Sequence, residues 1–215
     1  MRDNAVRGKV PSDRRRGDAM ARPREFSEAA VLDAVVHCFW SRGYEATSMR
    51  ELMERTGLTG ASLYNAFGDK RALYQRALDH YVEASIGDRI QRCEEMAPLD
   101  GIAAFFDEII ARSMADPDHK GCMLVNAALD VAPHDPEFQE IVAGVLARIE
   151  AFFLGRVRQG QADGSITSAL AAEDLARHLL GVLMGIRVLA RVRPERALLE
   201  GVLAPALTQL RAADA

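Results

Sequence analysis

Residues 47 to 74 read Thr-Ser-Met-Arg-Glu-Leu-Met-Glu-Arg-Thr-Gly-Leu-Thr-Gly-Ala-Ser-Leu-Tyr-Asn-Ala-Phe-Gly-Asp-Lys-Arg-Ala-Leu-Tyr. The stretch predicts two short helices joined by a tight turn. Ser48-x-x-Glu51 has the spacing of a capping box, which starts a helix near Met49 with Leu52 and Met53 on its apolar stripe. Gly57 ends that helix, because glycine takes a left-handed terminal conformation at no steric cost. Thr59 caps the second helix, and Leu58 is placed to staple onto Leu63 across the cap. Leu63 and Phe67, four apart, face inward. The opposite face carries Gly60, Ala61, Ser62, Tyr64 and Asn65. It is short, polar and free of acid, as a helix lying in the major groove of DNA requires.

Working outward, a helix from about Ser27 to Arg42 buries Leu32, Val35, Val36 and Phe39. On that helix Cys38 reads as packing and His37 as solvent-facing. Gly68 or Asp69 begins a long fourth helix through about Cys93, a connector whose tilt could carry a signal. Residues 26 to 75 resemble the DNA-binding domain of the TetR (tetracycline repressor) family of bacterial transcription regulators. The resemblance is carried by Phe39, Trp40, Gly43 and Tyr44 at the end of the first helix. After them come Thr47, Arg50, Leu52, Gly57, Leu63, Tyr64, Phe67, Lys70 and Leu73. Family members often place histidine just before the phenylalanine, where this chain has Ala66, so one backbone contact known in relatives is in question here. The resemblance implies DNA contacts from Thr47, Ser48, Arg50, Thr59, Ala61, Ser62, Tyr64, Asn65 and Lys70. Of these, Arg50 and Ser62 would reach bases, while Ser48, Tyr64 and Lys70 would favour phosphates.

The 215 residues suffice for one large or two small domains. No apolar run approaches a membrane span, and the arginine-rich start has no apolar segment of a signal peptide behind it. Three cysteines, Cys38, Cys93 and Cys122, point to a reducing cytoplasm and no disulfide framework. The net charge of −4 hides an asymmetry. Residues 1 to 75 hold 13 Lys+Arg against 10 Asp+Glu, a net +3; residues 76 to 215 hold 14 against 21, a net −7. The basic end is the end with the recognition helix. Residues 1 to 24, with eight Lys+Arg and no apolar periodicity, read as a disordered basic arm; Met20 to Phe26 looks like the usual start of a family member.

Beyond the connector, Pro98 and Asp100 open a helix carrying Ile102, Phe105, Phe106, Ile109 and Ile110. A break follows at Asp116-Pro117-Asp118-His119, then a short helix from about Gly121 to Val131. Asp135-Pro136-Glu137 starts the next, with Phe138, Ile141, Val142, Val145, Leu146, Ile149, Phe152 and Phe153 at helical spacing. Two more helices cover about Ala171 to Val192 and Pro194 to Ala212. The expected fold is all-α, about nine helices. Residues 25–73 form a three-helix helix-turn-helix domain and 74–215 an effector-binding and dimerisation domain. The last two helices are broad in apolar surface, and Gly181 and Gly185 allow close approach. In relatives these two helices pair with their copies in a four-helix dimer interface.

The resemblance implies a repressor, released from a palindromic operator by a small-molecule or thiol-reactive effector. The expected sensing residues are Cys122, Phe105, Met123, Asn126 and Phe152, within an apolar interior that also holds Phe106, Met114 and Met184. Lys120-Gly121-Cys122 through Asn126, followed by His134-Asp135-Pro136, resembles a subgroup of the family, some members of which answer reactive electrophiles or oxidants through the equivalent cysteine. A helix start and a neighbouring cation would both favour a thiolate there; a small buried hydrophobe is the other reading. His119, Cys122 and His134 are too loosely spaced for a metal site, and no cofactor is expected. A thiol-dependent enzyme or redox-active helical protein is the alternative class. The chain carries no phosphate loop, nucleophile elbow or zinc-protease helix.

Overall fold

A computed structural model describes residues 27–212; the basic arm, residues 1–24, lies outside them. The described residues form nine helical rods and no strand. In the head, Ser27 caps α1 (Glu28–Arg42), its hydroxyl accepting from the Ala30 amide. The helix stops at Gly43, with φ at +83°. Helix α2 (Met49–Thr56) is capped by Ser48, whose Oγ accepts from the Glu51 amide at 3.2 Å, and ends at Gly57 in the left-handed region. The capping box is only half made. Glu51 does not reach back to its cap but pairs with Arg42 Nε of α1 at 2.9 Å, tying the two helices together. Helix α3 (Gly60–Phe67) is capped by Thr59, and Asp69 caps α4 (Lys70–Tyr81) through the Ala72 amide at 2.8 Å.

The long connector runs to Glu94, close to the expected end at Cys93. It is not a uniform α-helix. Between α4 and α5 (Asp88–Glu94) lies a π-helical segment, Val82–Gly87, where the Ser85 hydroxyl donates to the Tyr81 carbonyl at 2.6 Å. Such widened turns are uncommon and concentrate at functional positions. Helix α6 (Pro98–Ala115) starts with proline at its first position. After a loop come α7 (Met123–Asp130) and a 3-10 turn (Ala132–His134). Helix α8 (Pro136–Asp163) follows, capped by Asp135, which accepts from the Glu137 and Phe138 amides. Helices α9 (Ala172–Val192) and α10 (Arg196–Leu210) complete the body.

The body core is a cluster of four rings. Phe106 and Phe153 stack at 5.5 Å, and Phe105 meets Phe153 edge-on at 5.3 Å and Phe152 at 5.1 Å. The head joins the body through Tyr74 of α4. Its buried ring meets Phe39 of α1 at 4.9 Å, Tyr44 at 5.0 Å and Phe138 of α8 at 5.3 Å. Arg71, one turn earlier, reinforces the same joint with 2.7 Å contacts to Asp135 and Glu137. The last two helices bury Leu179, Leu183 and Ile186 and Leu199, Leu203 and Leu210 inside the chain. Gly181 and Gly185 face open space instead, so the close approach they permit is not used within one chain.

Glycine replacements separate two kinds of site. At Gly101 a Cβ would run into the backbone carbonyl of Cys93, which cannot turn aside. Gly101→Ala should therefore lower stability by about 1–3 kcal/mol. Gly144 lies in exposed α8 with nothing near its Cβ position. Gly144→Ala should raise stability by about 0.5–1 kcal/mol. Urea unfolding monitored by circular dichroism checks both signs.

Candidate nucleic-acid interface and head–body cavity

Helix α3 turns Leu63 and Phe67 into the head core and leaves Ala61, Tyr64 and Asn65 exposed. Tyr64 is 53% exposed although its ring is large and apolar, which suits a residue that meets a partner. Ser62 is half-buried, its hydroxyl sharing a 2.9 Å hydrogen bond with Thr59 Oγ1 at the cap. Ser48 and Arg50 project from the start of α2. The Arg50 side chain is 84% exposed and pairs with Glu54 one turn on, an exposed pair that an incoming base or phosphate can break at little cost. Lys70 lies over the Tyr44 ring at 4.4 Å and donates to the Glu45 carbonyl at 3.3 Å, so its ammonium is held at one end of this face. Thr47 departs from expectation. Its side chain is fully buried and donates to the Gly43 carbonyl at 2.8 Å, which fixes the α1–α2 turn rather than presenting a hydroxyl to DNA. Ala66 is half-buried against the head core.

The expected effector walls are corrected more substantially. Phe105, Met123 and Phe152 are packed core. Only Phe105 borders a void, one of roughly 10 Å³ shared with Cys122, too small for a ligand. Cys122 is the cap residue of α7, as the expected helix start requires, but it is buried and accepts a hydrogen bond from the Tyr81 hydroxyl at 3.5 Å. Burial, then the neighbouring Cys122, pushes the Tyr81 phenol up. Lys120 is committed elsewhere: its Nζ contacts Asp116 at 2.6 Å and Asp118 at 3.1 Å. Asn126 is buried; its Nδ2 donates to the Lys120 carbonyl at 3.2 Å and its Oδ1 accepts from Arg191 of α9. It latches the 116–121 loop to α9. Among the described residues no three His, Cys, Asp or Glu side chains gather, so His119, Cys122 and His134 do not converge.

The sizeable cavity, about 550 Å³, lies between head and body. Its walls come from α1 (Val36, Trp40), the connector (His80, Tyr81, Ala84, Ser85, Arg89), the end of α6 (Arg112, Ser113), the 116–121 loop and α9 (Arg187, Ala190). The loop turns through His119, a non-glycine residue with φ at +46°, and Gly121 at +73°. None of the residues named from sequence for sensing lines it. Arg89 and Arg187 sit at core register on otherwise apolar helix faces, three residues after Ile86 and four after Leu183.

Comparison with known proteins agrees with this architecture. The profile of bacterial regulatory proteins of the tetR family matches residues 31–77, and that of the tetracyclin repressor-like C-terminal domain matches 98–204. The HTH-type transcriptional regulator YezE of Bacillus subtilis is 32% identical over 80% of this chain and 90% of its own. The HTH-type transcriptional repressor ComR of Escherichia coli is 30% identical over 88% and 90%. A solved structure of the TetR family regulator CifR, a cysteine mutant on a 26-base-pair double-strand operator, superposes with a TM-score of 0.78 at 32% identity. That match covers 87% of this chain and 98% of the other. The chain belongs to the TetR family: it is a DNA-binding transcriptional regulator whose C-terminal part is the family's ligand-binding and dimerisation unit. Among the described residues no helix is long and apolar enough to cross a membrane.

All three thiols are buried, and burial pushes those of Cys38 and Cys93 up. A chromogenic disulfide reagent should therefore label the native protein far more slowly than the urea-unfolded chain at all three positions. Rapid labelling of Cys122 alone would mean that the 116–121 loop opens freely.

Proposed function

We propose that the protein is a repressor that binds a palindromic operator as a homodimer and leaves it when a small molecule occupies the body. The observation that carries the reading is the outer face of α3, exposed, acid-free and held on a capped, buried scaffold. Relatives support the sign of regulation, since ComR is named a transcriptional repressor. In this reading residues 25–73 bind DNA, and 74–215 bind effector and a second copy. Arg50 and Ser62 read bases, Ser48, Tyr64 and Lys70 hold phosphates, and Thr59, Ala61 and Asn65 complete the contact. Two heads on one dimer read two half-sites about one helical turn apart, or a multiple of it, so affinity multiplies. The protein works in the cytoplasm, where its DNA is, and as a regulator rather than a thiol enzyme: among the described residues the side chain hydrogen-bonded to Cys122 is Tyr81, an acid that burial weakens rather than a base.

The dimer face that fits best is the outer side of α9 and α10. Gly181, Gly185, Val188 and Val192 share one face of α9, with Val188 and Val192 exposed, and Gly201 of α10 also faces open space. Leu203 of α10 is buried within its own chain and belongs to the core, not to this face. The effector is bound without covalent chemistry, because the open space is the head–body cavity while Cys122 is buried and Lys120 is neutralised by two acids.

Retention of a palindrome from the promoter beside the gene tests the reading; absence of any sequence preference over random duplex would sink it. Lys70→Ala should weaken binding to all sequences alike and reduce the salt slope by about one. Arg50→Ala should relax preference at one base position, costing about 1–3 kcal/mol on the right site. Val188→Glu should give a folded monomer in sedimentation, with operator affinity lower by orders of magnitude; an intact dimer would place the interface elsewhere.

A further inference from the structure

The head–body cavity has an unusual wall. Among the described residues, the buried side-chain nitrogen and oxygen atoms without a hydrogen-bond partner are Trp40 Nε1, Arg89 Nε, Arg89 Nη1 and Ser113 Oγ. All three residues line this one cavity. Arg89 is 1% exposed; its guanidinium lies 5.4 Å from the Phe105 ring centroid, and its one hydrogen bond among the described residues is from Nη2 to Glu108 at 3.1 Å. That carboxylate is shared with Arg92 and Arg112. Arg187, also buried, enters the same cavity from α9 and has no acid as an ion-pair partner among the described residues. The acids in the wall are spent: Asp33 lies 2.8 Å from the His80 ring, and Asp116 holds Lys120 Nζ together with the Lys120 and Asp118 amides. Val36, Ala84, Ala115, Pro117 and Ala190 supply apolar wall between these groups.

Buried donors with no acceptor are costly unless something accepts from them, and a buried charge without a counter-charge more so. Arg89 shares its one carboxylate with Arg92 and Arg112, and Arg187 has no acid partner among the described residues, so the two buried guanidiniums are short of negative charge. We propose that this cavity binds a small organic monoanion, a carboxylate on an apolar or aromatic body, with the carboxylate accepting from Arg89 and Arg187 and the body lying against Trp40. This rests on the reading that the body binds an effector, and names its chemistry and place. The volume suits it, since small-molecule sites run from about 300 to 1,000 Å³, mostly apolar with a few placed polar groups. The Arg89 guanidinium is itself pushed down by burial and then by Arg187, a strain that an anion would relieve. An occupant would touch α1, the π segment and α9 together, the elements that set the head against the body.

Trp40 is the single tryptophan of the chain, so its fluorescence reports the cavity directly. The full-length protein, free of DNA, is titrated with octanoate and benzoate, with octanamide and benzamide as uncharged isosteres, and with inorganic phosphate. Both carboxylates should give saturable changes, with the amides at least about tenfold weaker because they leave the guanidiniums unpaired. Phosphate should give no change. Arg187→Gln should abolish the acid–amide preference while its melting midpoint holds or rises, the opposite of a structural arginine; Arg187→Lys should keep most of it. No saturable response to either acid, equal binding of acids and amides, or phosphate binding as tight as octanoate each overturns the proposal. The acid–amide comparison uses wild-type protein alone, so it decides the matter whether or not the variants fold. Operator retention is measured on the same preparation without ligand. Loss of operator binding with carboxylate binding intact would sink the regulator reading and leave this one standing; the converse would sink only this one.

Discussion

Everything in this molecule hangs on the two-sided burial of one helix. Helix α4 gives one side to α1 and the other to α7 and α8, with Tyr74 in the middle touching three rings from three segments. Aromatic pairs at these distances add about 0.5–1.5 kcal/mol each beyond area burial. Arg71 closes the same joint from outside, bridging to Asp135 and Glu137 and lying over the Phe138 ring. Asp135 is at once the cap of α8 and the partner of Arg71, which holds its carboxyl below the ordinary aspartate range. That link is therefore complete above the ordinary aspartate pKa and is lost only in more acidic solution. A head gripped so firmly cannot swing freely. Any change in its angle has to come through α4 itself.

The cavity is placed where that constraint is weakest. On the α1 side of the joint the packing gives way below Trp40, and the connector there passes into the π segment. Trp40 and Tyr81 meet edge-on at 5.1 Å at its rim. A widened turn holds its backbone with displaced hydrogen bonds, and here Ser85 takes up the Tyr81 carbonyl. The wall thus combines a soft turn, a loop with left-handed backbone at His119 and Gly121, and donors that lack partners. Each unmet buried donor costs roughly 1–3 kcal/mol. A chain that tolerates several in one place has given up stability there, a common price of a binding site.

The head was legible in the sequence almost residue by residue. Ser27, Ser48, Thr59 and Asp69 cap the helices they announce, and Gly57 takes the left-handed turn, because these signals act within four residues and need no tertiary partner. The body's helices were legible for the same reason. What failed was anything that depends on what packs across. Glu51 completes a capping box in the pattern but finds Arg42 nearer. Thr47 looks like a surface hydroxyl but meets the Gly43 carbonyl. Phe105, Met123 and Phe152 were expected to wall a cavity, yet rings at helical spacing fill a core unless something holds them apart. The cavity is bounded by Trp40, Tyr81 and a set of charged and small residues whose positions only the assembled helices bring together.

The arginines complete the argument, because they invert the usual meaning of burial. Lysine in the wall is satisfied: Lys120 has two acids and lies 5.7 Å from the Trp40 ring centroid. Cys122, which local sequence favours as the reactive group, is covered and hydrogen-bonded. Arg89 and Arg187, unremarked in a linear reading, are left with charge and donors to spare. Guanidinium stays protonated in a low-dielectric site where an ammonium or thiolate would neutralise itself. It is therefore the side chain that can keep a standing demand for an anion inside a protein. A second demand on the same helices comes from the head, which must present its helix-turn-helix at a fixed angle to DNA. Since α1 and α4 serve both, a ligand held in the cavity would bear directly on the backbone that sets the angle of the head.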